Sequence, residues 1–177
     1  FGVKPWVKYW IHVGYLTIKG EKMSKSLGNI IPVYEVFKKY KPEVLRLYLL
    51  SSYYRSPMDF TWDGLEQAKV LYEKLVTLTE RVKKILRDES SPYKVGYNTK
   101  NLAKEMANIR KGFYDNMDDD FNTAKAMPYI HRFISFANKM IEQKPAFPIA
   151  LSIMEFIKEL NMVLGVLDKY LVPTTAV

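Results

Sequence analysis

The 177 residues contain no cysteine, so the chain itself holds no disulfide, no thiolate metal site and no cysteine nucleophile. The redox compartment is left open. Long hydrophobic runs are missing as well. The apolar stretch Val44–Leu50 is split by Arg46 and falls far short of the roughly 20 residues a membrane helix needs. There is no internal repeat and no low-complexity segment. The chain starts at Phe1 with no charged-then-apolar leader, so no signal peptide is expected, and the start without Met reads as a piece cut from a longer polypeptide.

What is present is ordinary globular material: 48% hydrophobic and 26% charged residues, enough for one domain or two small ones. Lys and Arg number 27 against 19 Asp and Glu, a net charge of +8. Residues 1–90 contribute 16 basic and 10 acidic side chains, +6 of that total. A basic surface favours polyanions such as nucleotides or nucleic acid through steering and counterion release. The plain alternative is a soluble protein with a basic skin.

Hydrophobic spacing predicts a mainly helical chain. Residues 13–18, rich in β-branched and aromatic side chains, read as a strand closed by Gly20. A polar loop runs from Lys19 to Asn29. Pro32 is expected in the first turn of one helix and Pro42 in that of the next. Residues 57–62 read as extended. From Asp63, Leu71, Leu75, Leu78, Val82 and Ile85 form one stripe of a long amphipathic helix ending near Asp88. Ser90-Ser91-Pro92 is the best boundary in the chain. Three more helices follow: one marked by Leu102–Met117, one by Ala124–Ile141 with Asn122 or Thr123 as its cap, and one by Leu151–Leu171 after Pro145 and Pro148. Together they predict an antiparallel helical bundle.

The segment Gly20-Glu21-Lys22-Met23-Ser24-Lys25-Ser26-Leu27-Gly28-Asn29 departs from this grammar. Two lysines three positions apart, interleaved with hydroxyls in a loop after a strand, suit an oligophosphate. Ammonium groups neutralise phosphate oxygens, while Ser24, Ser26 and exposed backbone N–H groups supply donors. Gly20 and Gly28 allow the loop to bend. A charge run in a loop is more often just solvated surface, but the five-residue string with its flanks is far more specific than a lysine pair.

Lys22–Ser26 is the KMSKS signature of class I aminoacyl-tRNA synthetases, and its surroundings resemble the cysteinyl-tRNA synthetase family. The resembling segments are Tyr9–Leu16, Gly20–Asn29, Pro42–Arg46, Tyr54-Arg55-Ser56-Pro57 and Met117-Asp118-Asp119-Asp120-Phe121-Asn122-Thr123. The resemblance implies activation of cysteine by ATP with Mg2+, then transfer of the cysteinyl group to tRNA(Cys). It makes Lys22 and Lys25 the catalytic residues. ATP binding would involve both lysines with Ser24, Ser26, Gly14 and His12. It implies a cytoplasmic monomer with no membrane partner.

The implied architecture is the end of a Rossmann-like domain with the loop (1–31), a small α/β stem-contact module (32–90) and a helical anticodon-side bundle (93–177). Arg46, Arg55, Lys104, Arg110 and Lys111, with Lys100 and Arg132, are candidates for tRNA contact. Arg46 alternatively pairs with Glu43. The family's HIGH signature is absent, and so are the upstream Cys, His and Glu ligands for zinc, since His12 and His131 do not match those positions. Zinc is therefore expected only in the full-length enzyme, the cysteine pocket is missing, and no metal site is expected in this chain. Residues after about Val172 stop short of a further C-terminal segment that many relatives carry.

Alternatives remain open: a methionine–tRNA ligase, a cysteine–glucosaminyl-inositol ligase, or a non-catalytic tRNA-binding module. His12 reads more readily as a packed structural histidine than as an ATP contact. Gly14 would permit close approach of a base. Asp118–Asp120 read as punctuation opposing the dipole of the next helix rather than as a metal cluster. Trp10, Tyr53, Tyr54, Phe60 and Trp62 read as core rather than stacking platforms.

Overall fold

A computed structural model describes residues 2, 4–87, 99–143 and 147–171. The predicted break at Ser90–Pro92, the helix end at Asp88, the side chain of Lys100, Pro145 and the end beyond Val172 lie outside the described residues.

A three-stranded sheet in the order β2-β1-β3 is built from β1 (Leu16–Ile18), β2 (Glu21–Lys22) and β3 (Met58–Asp59). The predicted strand is shorter than 13–18. Gly14 and Tyr15 do hydrogen-bond toward residues 54 and 58, but the Tyr53–Ser56 turn between them interrupts the ladder. The polar loop is not a plain loop either. Lys19 and Gly20 both take positive φ, 55° and 79°, the requirement of a two-residue hairpin turn. Lys22 therefore pairs with Thr17 across an antiparallel ladder.

Two short helices follow, α1 (Val33–Phe37) and α2 (Pro42–Leu50). Pro42 occupies the first turn as expected, whereas Pro32 stands one residue earlier, as the N-cap. The long helix α3 (Trp62–Arg87) leaves β3 and enters the bundle formed with α4 (Thr99–Asp118), α5 (Thr123–Glu142) and α6 (Phe147–Leu164). Asn122 is the N-cap of α5, its side chain accepting from the Lys125 N–H at 3.2 Å. Pro148 lies inside the first turn of α6 instead of breaking the chain there. The predicted last helix does not run through to Leu171. Gly165 turns left-handed (φ 63°) and a separate helix, α7 (Asp168–Leu171), follows.

One core spans the bundle and reaches α1, α2 and the end of β3. Its centre is aromatic. The Phe156 ring meets Phe133 at 4.9 Å and Phe113 at 6.1 Å, both edge to face. Phe60 joins the core as expected, but Trp10 is 75% exposed and Trp62 40%.

His131 lines a cleft of about 630 Å³ between α2, α3 and α5, beside Ser51, Asp63 and Gln67. Burial and the nearby Lys74 ammonium hold its pKa below the ordinary 6.5. The unfolded chain then takes up the proton first, so stability is full above pH 6.5 and falls as the pH drops below it. Denaturant midpoints at pH 7.5 and 5.5 are expected to differ more in the parent than in His131→Gln.

Candidate functional site

The Lys22–Asn29 loop is a stapled hairpin extension. The Met23 N–H donates to the Leu16 carbonyl at 3.1 Å, closing the ladder. The Asn29 side chain then pins the loop from inside: its Oδ1 accepts from the Ser24 N–H at 2.8 Å and its Nδ2 donates to the Lys22 carbonyl at 3.2 Å. Ser24 Oγ lies 3.2 Å from Ser26 Oγ and accepts from the Leu27 N–H. At the base, the Asp59 carboxylate receives the Gly20 N–H at 3.0 Å and the Thr17 hydroxyl at 2.8 Å. Those two donors hold its pKa below the usual carboxylate value. Asn29 and Asp59 are supports that sequence reading missed. Asn29 stood within the quoted string, while Asp59 is about 40 residues away.

Lys22 and Lys25 are both exposed, but they are not equivalent. The Lys22 ammonium sits over the Tyr15 ring at 4.0 Å from its centroid, a cation–π contact of about 0.5–1 kcal/mol at an exposed site. An anion that takes Lys22 must draw it off that ring. Removing the Asn29 side chain should release the Ser24 amide. With about 0.5–1.5 kcal/mol per net hydrogen bond, Asn29→Ala is expected to speed hydrogen exchange at Ser24 several-fold while the Met23 amide keeps its protection.

His12 is exposed rather than packed. The close approach at Gly14 is made by the chain itself: a Cβ there would lie 2.2 Å from the Ser56 carbonyl oxygen. That face is closed to a base.

Most of the expected tRNA-contacting cations are engaged internally. The Arg46 Nε donates to the Leu164 carbonyl at the end of α6, and its guanidinium lies against Gly165. Glu43 pairs not with Arg46 but with Lys169 at 2.8 Å. Arg110 bonds Glu159 at 2.9 Å and lies over the Phe156 ring. Arg132 pairs with Glu105 at 2.8 Å. Lys111 pairs with Asp115 at 2.6 Å, one helical turn on, but such exposed pairs contribute little and leave the cation available. Lys104 is exposed.

Arg55 is the largest departure. It binds the Asp120 carboxylate through Nε at 2.5 Å and Nη2 at 3.1 Å, and the hydroxyls of Tyr53 and Tyr54 donate to the same carboxylate. Asp120 is thus held by Arg55 and two tyrosines, and Tyr53 and Tyr54 are neither core nor free stacking rings. Among the described residues no group of three His, Asp or Glu side chains is arranged to hold a metal. No described helix is long and apolar enough to cross a membrane.

Residues 1–70 match the model of the tRNA synthetases class I (C) catalytic domain, and residues 112–168 match the DALR domain. The cysteine–tRNA ligase of Staphylothermus marinus is 44% identical over 174 residues, covering 98% of this chain and 36% of the relative. That of Pyrococcus abyssi is 41% identical over 167 residues, covering 93% and 35%. The chain belongs to the cysteine–tRNA ligase family.

The cysteine–tRNA ligase of Pyrobaculum islandicum is 39% identical over 176 residues, covering 98% of the chain and 36% of that ligase. The chain thus spans about a third of the length of the curated ligases it matches. A solved structure, the ternary complex of Agrobacterium radiobacter K84 LeuRS with tRNA and LeuAMS, shares the fold. Its TM-score is 0.66 at 19% identity, over 86% of this chain and 20% of that one. Within the ligase family match, Lys22–Ser26 and Tyr53–Arg55 fall in the catalytic-domain region and Asp120 in the DALR region.

Proposed function

We propose that this chain is the part of a cysteine–tRNA ligase that closes on ATP during cysteine activation and presents helices to tRNA(Cys). The observation that carries the reading is the Lys22–Ser26 string on a stapled hairpin with both lysines exposed. Its position inside a class I catalytic-domain match supports it.

In this reading residues 1–31 carry the loop, 32–90 connect it to the tRNA stem, and 93–177 form the anticodon side, with Lys104 and Lys111 on the exposed face of α4. ATP enters with Mg2+ on its phosphates. Lys25 meets the triphosphate and stabilises the charge that builds on departing pyrophosphate. Lys22 leaves Tyr15 to assist, and Ser24, Ser26 and loop N–H groups orient the oxygens. The protein contributes position and charge, with no covalent step of its own.

Zinc does not fit the residues present: there is no cysteine, and His12 precedes β1 while His131 lies on α5. The 177-residue chain alone is therefore expected to give no cysteine-dependent exchange of pyrophosphate into ATP, because its sequence has neither a HIGH string nor a cysteine. Measurable exchange by the isolated chain would overturn this assignment of roles.

A further inference from the structure

We propose that Asp120 is a positioning residue whose carboxylate ties the α4–α5 corner to the Tyr53–Arg55 turn, fixing where that corner stands against the sheet that carries the Lys22–Asn29 loop. Only the consequence for tRNA charging rests on the function proposed above.

Three consecutive residues converge on this one side chain: the Tyr53 and Tyr54 hydroxyls and two guanidinium nitrogens of Arg55. A carboxylate receiving a bidentate arginine and two phenols has its oxygens saturated and is held ionised. Its pKa accordingly lies well below the usual carboxylate range. The corner is shaped to aim it. Asp120 and Phe121 both have positive φ, 55° and 52°, a conformation such residues keep only where the surroundings over-determine it. Phe121 is 60% exposed and adds no burial in return. The neighbouring Thr123 hydroxyl donates to the Ser52 carbonyl at 3.3 Å, a second tie to the same turn.

The gripped turn is part of the sheet's own framework. The Tyr54 carbonyl accepts the Gly14 N–H at 2.7 Å, the Ser56 backbone lies against Gly14, and the Met58 N–H donates to the Tyr15 carbonyl at 2.9 Å. From Tyr15 the chain runs directly into β1 and the lysine hairpin. The hairpin's own staples, Asn29 and Asp59, do not involve Asp120. Loosening Asp120 thus releases the α4–α5 corner from the Tyr53–Arg55 turn while leaving the loop and the shared core formed. The effect should fall on tRNA charging and spare activation.

Asp120→Asn isolates the carboxylate, because asparagine tolerates the left-handed backbone as readily as aspartate. In the complete ligase, Asp120→Asn is expected to raise the KM for tRNA about ten-fold while cysteine-dependent pyrophosphate exchange stays within two-fold. Tyr54→Phe, which removes one donor, should move the same way by less. Asp119→Asn should change neither. An unchanged KM for tRNA, or an equal fall in exchange and charging, would overturn the proposal. If the parent ligase neither exchanges nor charges, the functional reading fails instead. Residual dipolar couplings of the 177-residue chain then decide the positioning role. Couplings from residues 53–56 and 119–123 should fit the alignment tensor of the core helices in the parent and depart from it in Asp120→Asn. An unchanged fit of both segments in Asp120→Asn would overturn it.

Discussion

Lys25→Ala in the complete ligase is expected to slow adenylate formation by about 10²–10³-fold, the loss seen when one preorganised charge-stabilising donor is removed from a transition state. The Lys25 side chain is exposed, and the residue supports the loop through its backbone, whose carbonyl accepts the Gly28 N–H at 3.2 Å. Alanine keeps that bond, so the loop should still form. In the proposed role the ammonium acts as negative charge accumulates on leaving pyrophosphate, so the loss should appear in the rate, with the KM for ATP moving far less. Lys22→Ala should cost less, since part of what that ammonium gains on phosphate is lost in leaving the Tyr15 ring. Rapid-quench measurement of cysteinyl-adenylate in the two variants checks both the size and the order.

Phe156→Ala is expected to destabilise the chain by about 3–5 kcal/mol, the range for deleting a fully buried aromatic side chain. Phe156 is fully buried, edge to face with Phe133 and Phe113, with the Arg110 guanidinium over its ring. Those neighbours sit on α4 and α5, so the cavity would open where three helices meet and could not close by moving one side chain. For a chain of this size the melting temperature should fall by roughly 6–20 °C. Leu151→Ala, on the same helix but 41% exposed, should stay within about 0.5 kcal/mol.

Local periodicity made the bundle legible. The Leu71–Ile85 stripe marks α3, Pro42 opens α2, and Asn122 caps α5, because each signal lies within a turn or two of the structure it specifies. The hairpin turn at Lys19-Gly20 was harder. Gly20 supplies one left-handed position, but lysine is not the Asn or Asp that usually announces the other. The internal partners of the arginines escaped sequence reading for one cause. Arg46 meets a carbonyl 118 residues away, Arg55 a carboxylate 65 away, and Arg110 a carboxylate 49 away. Periodicity carries no information about such contacts. Their only trace was charge balance: a Tyr-Tyr-Arg turn and an Asp-Asp-Asp corner in the same chain. The Lys22–Ser26 string stood out because its residue types suggest their chemistry locally. The side chain that pins it, Asn29, was legible only once the loop's path was known.

The most direct test of the account is a single-turnover measurement of cysteinyl-adenylate formation by the complete ligase carrying Lys22→Ala together with Lys25→Ala, at saturating ATP and cysteine. A rate lowered at least as far as in Lys25→Ala alone, with the Asn29-pinned loop still protected from exchange, is the expected result. Adenylate formed at the parent rate would contradict the claim that these two ammonium groups hold the triphosphate as pyrophosphate departs.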